Sequence, residues 1–582
     1  MGARRSRKQT LSPEDRRHSS LVPKWIYILA VAAACGVAWM VYRPALNGPF
    51  LFDDLFLPYG IPDRAALPLA SWAAGVRPVL FLTFWLNHTL FGPGSFSYHA
   101  INLLIHVVNT VLAYRIARKL LTLSDAPYPL AAWLAGFAAA VFLLHPLQTE
   151  SVAYIASRSE SLCALFFLAA FGLFLSRLPG VISWPVSIAI VLLLLAACAS
   201  KEQGMALVPA LLLADYFWNP GFSFSGIRAN WRLYLPIAAG TVVAGAVVWN
   251  VVSQSPSAGF HLPGLNWHDY FFTECRVFFT YLRLFILPVG QTVDYDVPIS
   301  HGIFDHAALI ALTGLLLVLA LAVFYRKRWR LACFGVLLFV ILLAPTSSFI
   351  PLQDPIAEHR MYLPVLALAL VAVDVLRRLR LRLRQVVVFG AVCLAICAAA
   401  SYSRNRLWGD PVLLWRDVIA KAPNKLRPYT SLALLYTSEG RCAETVRLLD
   451  GAPPGVQSEY NFLIMKAEAE GCMSHFNQAA GLFARAAEIH PDPHLLVRLG
   501  AMRTNAGDSE EALNALNRAI RLAPSSEEAY MSRGRLHERT GRLEEAASDY
   551  RHALELNPAD PSAEILLQVV QRRLGARASA AR

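Results

Sequence analysis

The chain has little charge for its size. Only 16% of its 582 residues are Asp, Glu, Lys or Arg, where soluble globular chains carry about a quarter. That shortage excludes a wholly soluble protein. The deficit is local: apolar runs of membrane-spanning length recur from about Trp25 to about Ser401, and the remainder reads as ordinary soluble sequence. The nine cysteines contain no CxxC or Cys/His spacing, which argues against a structural metal. Most lie in or beside apolar segments as small buried hydrophobes. Cys442 and Cys472 lie in the soluble part, and the sequence leaves their pairing open. A phosphate-cradling Gly-rich loop and a dinucleotide fingerprint are also missing, so no nucleotide pocket is expected.

The charge that is present has a pattern. The net charge of +13 comes largely from short basic patches between apolar runs: "RRSRK" from Arg4, "YRKRWR" from Tyr325 and "RRLRLRLR" from Arg377. That is the distribution of cytoplasmic loops, not of a nucleic-acid surface. It places residues 1–23 in the cytoplasm as a basic N-terminus and residues 24–405 in a multi-spanning domain of about eleven spans. An outer loop covers 43–96, with Arg77 to Phe91 an amphipathic helix on the outer surface. The apolar run 270–289 is ambiguous, because it contains Glu274, Arg276 and Arg283. A linker is expected over 406–425, an external soluble domain over 426–575 and a flexible tail over 576–582.

The soluble domain repeats itself. Proline closes successive units at Pro491, Pro524 and Pro558, 33 and 34 residues apart. Ahead of them stand Ala467, Ala479, Phe483 and Ala486, then Gly500, Ala512, Leu516 and Ala519, then Gly534, Ala546, Tyr550 and Ala553. Small residues at these intervals let the two helices of a hairpin pack closely. The pattern resembles the tetratricopeptide repeat and predicts an α-solenoid with a concave groove. The fold class expected is therefore all-α: a membrane domain followed by a solenoid.

Unusual polar residues gather on the face opposite the basic patches. Asp53 and Asp54 stand in the oily loop "GPFLFDDLFLPYG", followed by His145, Glu150, Arg158, Lys201, Glu202 and the cluster Glu358, His359 and Arg360. Each has a bland reading as a turn, a helix end or a snorkelling side chain. Ionisable groups at span edges are costly, however, and together on one face they suggest a site. Carboxylates and cations at head-group depth suit sugar transfer from a polyprenyl-phosphate carrier. An Asp orients the acceptor hydroxyl and takes its proton late in the attack, while Lys and Arg stabilise the departing phosphate. Two rivals remain: a membrane-anchored repeat scaffold for envelope or secretion assembly, and a transporter, whose polar groups belong nearer mid-bilayer.

The segments "FDD", "RPVLFLTFWLNHTLFG", "SYHAINLLIHVVNTVLAYRIAR", "LHPLQTESVAYIASRSESLCALFFL", "SKEQGMALVPALLLADYF", "LPVGQTVDYD", "EHRMYLP" and "RNRLWGDPVLLWRDVI" resemble the transmembrane and tetratricopeptide repeat-containing O-mannosyltransferases, glycosyltransferases of the GT-C class. The resemblance implies an inverting enzyme that uses a lipid-linked sugar phosphate, with its repeats on the periplasmic or lumenal side. It implies Asp53 and Asp54 as catalytic residues, and it matches Lys201 and Glu202, and Glu358 and Arg360, to two further motifs. With the reading of the residues, this gives Lys201, Arg360 and Arg158 as donor-phosphate ligands, and His145, Glu150, Glu202, Glu358 and His359 in support. No cofactor is expected beyond the donor substrate, and a metal is not favoured. The partners expected are the polyprenyl-phosphate sugar, membrane lipids and an acceptor protein or glycan in the repeat groove, with no nucleic acid. The setting expected is a bacterial inner membrane, or the endoplasmic reticulum in a eukaryote.

Overall fold

The computed structural model describes residues 24–127, 130–178, 180–254, 258–262, 264–379 and 382–580. The basic N-terminus expected over 1–23 lies outside them. Among the described residues the chain is helical, with one isolated bridge between Ala258 and Leu352 and no strand. It divides into two units, Met1–Val293 with Val297–Asp410, and Pro411–Arg582 with Asp294–Asp296.

Among the described residues of the first unit, five helical stretches are long and apolar enough to cross a membrane alone: Ile28–Ala45, Ser95–Leu123, Ile155–Arg177, Asp305–Tyr325 and Arg384–Trp408. A sixth crossing arises if Leu130–Leu144 and Pro146–Ala153, bent by 51°, are one span. The regions read as spans over 203–218, 331–344 and 361–376 hold helices of 12, 14 and 15 residues. Large apolar side chains such as Trp25, Ile28, Leu192, Leu195, Leu316, Leu317 and Ile396 point outward. A chain with so many exposed hydrophobic helix faces is a membrane protein.

Helix Ser95–Leu123 is the centre of this unit and packs on Leu130–Leu144 and on Arg158–Arg177. Ala131, Ala135, Ala138 and Ala139 are all buried, and such small residues let helices approach closely in a membrane. Gly335 marks another tight crossing, where an added Cβ would stand 2.8 Å from the Ala367 carbonyl oxygen. The inner face of Ser95–Leu123 is polar: His99, Asn102, His106 and Asn109 are buried at helical spacing.

Helix Pro78–Phe91 forms where an amphipathic surface helix is expected, and it buries Leu80 and Phe84 together with one polar residue. Asn87 is buried, while Leu82, Leu86, Leu90 and Phe91 are exposed. The buried amide has a partner in Arg158, as described below.

The second unit is a stack of helical hairpins. Leu426–Ser438 pairs with Cys442–Asp450, Tyr460–Cys472 with Phe476–Ile489, Pro493–Ala506 with Ser509–Leu522, and Glu527–Arg539 with Leu543–Leu556. The repeat signature explains the packing: an added Cβ on Gly534 would lie 2.6 Å from the Tyr550 ring. Asp492 caps one hairpin by accepting hydrogen bonds from His494 and Leu495, and Ser526 caps the next through Ala529. Cys442 and Cys472 form a disulfide between the first two hairpins. The stretch expected as a linker, 406–425, is largely helical, and the last helix, Pro561–Ala580, takes in 576–580 of the expected tail, whose last two residues lie outside the described residues.

Candidate active site

The paired aspartates part company in the structure. Phe52 has φ +52°, a left-handed conformation that costs a bulky residue about 1–2 kcal/mol. Its ring packs against Tyr154 at 5.4 Å and Trp408 at 6.2 Å. The tight turn Phe52–Leu55 that follows leaves Asp53 exposed and buries Asp54. Asp54 Oδ1 accepts from the Tyr59 hydroxyl at 2.8 Å and from the Ala156 amide at 2.9 Å, while Oδ2 accepts from the Leu51 amide at 3.1 Å. Burial outweighs these bonds and pushes the Asp54 carboxyl up to about 7. Gly60 closes the turn at a position no side chain could occupy, since a Cβ there would meet the Asp54 carbonyl oxygen at 2.1 Å. Asp53 is fixed through its backbone, whose amide donates to the Tyr154 hydroxyl at 3.1 Å.

One irregular stretch, from Pro146 to Ser161, organises everything nearby. Proline ends the preceding helix at His145, and the chain makes a short helix Thr149–Ala153 and a tight turn before helix Arg158–Arg177 begins. Arg158 and Glu160 therefore stand at a helix start. Tyr154 and Ala156 hold the acidic loop, as above. The stretch is pinned in turn by the polar stripe of helix Ser95–Leu123. Asn109 donates to the Ser161 carbonyl at 2.8 Å and to the Tyr362 hydroxyl at 3.0 Å, and His106 bonds Tyr362 at 2.8 Å.

A second set of groups hangs on the same stretch. Glu150 Oε1 lies 2.5 Å from His359 Nδ1, and Glu160 Oε1 lies 2.5 Å from Lys201 Nζ and 3.9 Å from His359 Nε2. Burial, reinforced by the Lys201 charge, drives the His359 pKa down to about 3. Its contact with Glu150, whose carboxyl burial pushes up to about 7, is thus a hydrogen bond between a neutral imidazole and a carboxyl group rather than an ion pair. Lys201 commits one of its three ammonium donors to Glu160. Arg77 grips Glu202 with two parallel bonds of 2.9 Å. Burial alone would raise the Glu202 carboxyl, but the Arg77 fork holds it below the usual range.

Other expected site residues have structural partners. Arg158 is fully enclosed, and its guanidinium donates to Asn102 at 2.7 Å, Asn87 at 2.8 Å, the Tyr98 carbonyl at 3.1 Å and the Thr83 carbonyl at 3.3 Å, with its carbon 4.4 Å over the Phe84 ring. It is a strut between three helices, not a group facing a donor phosphate. His145 bonds the Phe285 carbonyl at 2.9 Å, accepts from the Leu147 amide at 3.3 Å and stacks on Phe285, so it is a helix end. Glu358 is buried and accepts from Gln291 at 2.5 Å and from the Thr292 amide at 2.9 Å, which docks the "LPVGQTVDYD" segment. Arg360 donates to the carbonyls of Pro355 and Asp354 at 2.7 and 2.6 Å. Tyr59, Tyr154, Trp408 and Arg77 were missed as individuals, although all four lie within segments quoted above. Among the described residues no three of His, Cys, Asp and Glu are grouped to hold a metal ion.

Comparison with known proteins agrees with this architecture. A tetratricopeptide-repeat family profile matches residues 499–571. The protein O-mannosyl-transferase F38B6.6 of Caenorhabditis elegans is 24% identical over 74% of this chain and 62% of its own length. Human protein O-mannosyl-transferase TMTC3 is 23% identical over 91% of this chain and 64% of its own, and human TMTC1 is 25% identical over 75% and 55%. The chain is similar in sequence to these protein O-mannosyl-transferases. It spans 55 to 64% of the length of the relatives it matches. Among solved structures, TTC0263, a tetratricopeptide-repeat protein of Thermus thermophilus, aligns over 29% of this chain and 93% of its own at 18% identity and a TM-score of 0.24.

Proposed function

We propose that the chain is an inverting glycosyltransferase of the GT-C class. It moves a sugar, mannose if it follows its relatives' names, from a polyprenyl-phosphate donor to a Ser or Thr hydroxyl of an acceptor protein on the outer face of the membrane. The observation that carries the reading is the division of labour between Asp53 and Asp54. A buried, triply bonded carboxylate clamps the loop, and its neighbour stands exposed on a rigid backbone. In the transfer the acceptor oxygen bonds to C1 of the sugar. The bond from C1 to the phosphate oxygen breaks, its electron pair leaves with polyprenyl phosphate, and the hydroxyl proton passes to Asp53. Lys201 and Arg360 offset the charge growing on the phosphate, with Glu150, Glu160 and His359 holding Lys201 in place.

The outer-face assignment is supported by the basic patches and by the Cys442–Cys472 disulfide, since disulfides persist in oxidising compartments. The repeat unit holds the acceptor. It has a cavity of about 410 Å³ lined by residues that include Arg498, Glu527, Glu528, Met531, Arg535 and Asp560. The test is reconstitution of the full chain in liposomes with radiolabelled polyprenyl-phosphate mannose and an exported protein. The reading expects label on Ser or Thr and one polyprenyl phosphate released per sugar transferred. A chain that binds the exported protein but transfers no label is a scaffold instead.

A further inference from the structure

The hydroxyl of Tyr154 is the point where the exposed aspartate meets a rigid frame. The tyrosine is half-buried, and its ring lies nearly parallel to that of Trp408, with centroids 6.0 Å apart and planes inclined by 13°. Trp408 is 2% exposed and ends the apolar helix Arg384–Trp408. The last turns of that helix are fixed at several points. Ser401 donates to the Leu144 carbonyl at 2.7 Å, and Asn405 donates to the Val41 carbonyl at 3.0 Å. Backbones close on each other there too: a Cβ added to Gly409 would stand 2.2 Å from the Pro44 carbonyl oxygen, and one on Gly48 2.8 Å from that of Trp408. Neither position accepts a side chain without a backbone shift, so Trp408 backs the Tyr154 ring as a fixed plate.

The Tyr154 oxygen accepts from the Asp53 amide at 3.1 Å. Burial, reinforced by the charges of Asp54 and Asp53, raises the hydroxyl well above its ordinary pKa, so it keeps its proton at neutral pH. That proton has the Asp53 carboxylate beside it as an acceptor. Asp54 is served by other donors, the Tyr59 hydroxyl and the amides of Leu51 and Ala156. Two tyrosines thus divide the two aspartates between them. The ionisable groups acting around the Tyr154 hydroxyl are Asp53, Asp54 and Tyr59, with Arg158 acting on the last two. Helix Arg384–Trp408 presents only the uncharged Trp408 ring to the tyrosine.

We propose that Tyr154 is a positioning residue for Asp53, clamping its carboxylate through the hydroxyl while Trp408 backs the ring. This rests on the transferase reading, with Asp53 as the base, and adds what aims that base. An exposed aspartate samples several rotamers. A hydroxyl that takes the Asp53 amide and gives to the Asp53 carboxylate selects one of them, and leaves the second carboxylate oxygen for the proton of the acceptor hydroxyl. The same bond favours the ionised carboxylate. Tyr154 itself loses no proton in the transfer.

The test is sugar transfer from polyprenyl-phosphate mannose by the purified, reconstituted full chain, with Tyr154→Phe made in the wild type and in Asp53→Asn. Phenylalanine keeps the ring on Trp408 and removes only the hydroxyl. In the wild type, Tyr154→Phe should lower the rate at saturating donor about 10-fold, with the half-saturating donor concentration unchanged. The acidic limb of its rate profile should move up by about one pH unit, because the ionised carboxylate has lost a donor. In Asp53→Asn the same substitution should cost nothing further. Two results overturn the proposal: a rate within about two-fold of the wild type with the limb unmoved, or equal losses in the two backgrounds, which mark a structural tyrosine. Failure of the transferase reading looks different, since the wild type would then transfer no sugar at all.

Discussion

Asp54 couples the acidic loop to pH. Its carboxyl titrates at about 7 in the folded chain against an ordinary 3.8. Between these values the folded state holds a proton that the unfolded state has released. Stability therefore falls as pH rises through the window, by up to about 1.4 kcal/mol per pH unit. The contribution is complete below about pH 4 and gone above about pH 7. Thermal unfolding at pH 4.5 and pH 8 should show a larger drop for the wild type than for Asp54→Asn; equal drops would remove the argument. Sequence alone could not separate the two aspartates. The separation comes from the left-handed Phe52 and from Gly60, local backbone features that no spacing rule encodes. Arg158 was misread for a different reason. Its charge at a span edge was visible, but its partners Asn102 and Asn87 are neutral amides 56 and 71 residues away. Pairings of that range emerge only when the helices pack.

Helices and hairpins were the most legible level. The proline period gave the repeat, and the small residues Gly500 and Gly534 fell against Leu516 and Tyr550 as the pattern requires. The repeats also expose an irregularity. Their inter-helix turns place Gly440, Gly507 and Gly541 at positive φ, and at the equivalent position of the second hairpin stands Ser474, with φ +63°. A serine strained in this way predicts that Ser474→Gly raises stability by about 0.5–1 kcal/mol, the relief of left-handed strain less the added chain entropy. An unfolding midpoint at or below that of the wild type would contradict it. The disulfide is a second handle. It closes a separation of 30 residues, for which loop-closure entropy gives about 3–4 kcal/mol. Cys442→Ser should lower the denaturant midpoint of the repeat unit accordingly, and reduction should do the same to the wild type but nothing to the variant. Less legible were the membrane helices, whose broken and short members blur a count made from apolar runs. Helix Pro78–Phe91 shows why: beside Leu80 and Phe84 it buries Asn87, which answers Arg158, a partner from another helix.

At the scale of the molecule, the proposed one-sided placement of mixed charge would link fold to function. It comes from the alternation of basic patches along the chain, and the Cys442–Cys472 disulfide is a handle by which the side of the repeat unit can be tested. Both cysteines should become reactive to an impermeant maleimide in intact cells only after reduction. Labelling that requires a permeabilised membrane would reverse the orientation. The account as a whole stands on the exposed carboxylate of the acidic loop. The most direct measurement is single-turnover sugar transfer by purified, reconstituted Asp53→Asn, run beside the wild type with unfolding midpoints recorded for both. The account predicts a rate lower by about 100-fold or more at an unchanged midpoint. Transfer within about two-fold of the wild type would contradict it.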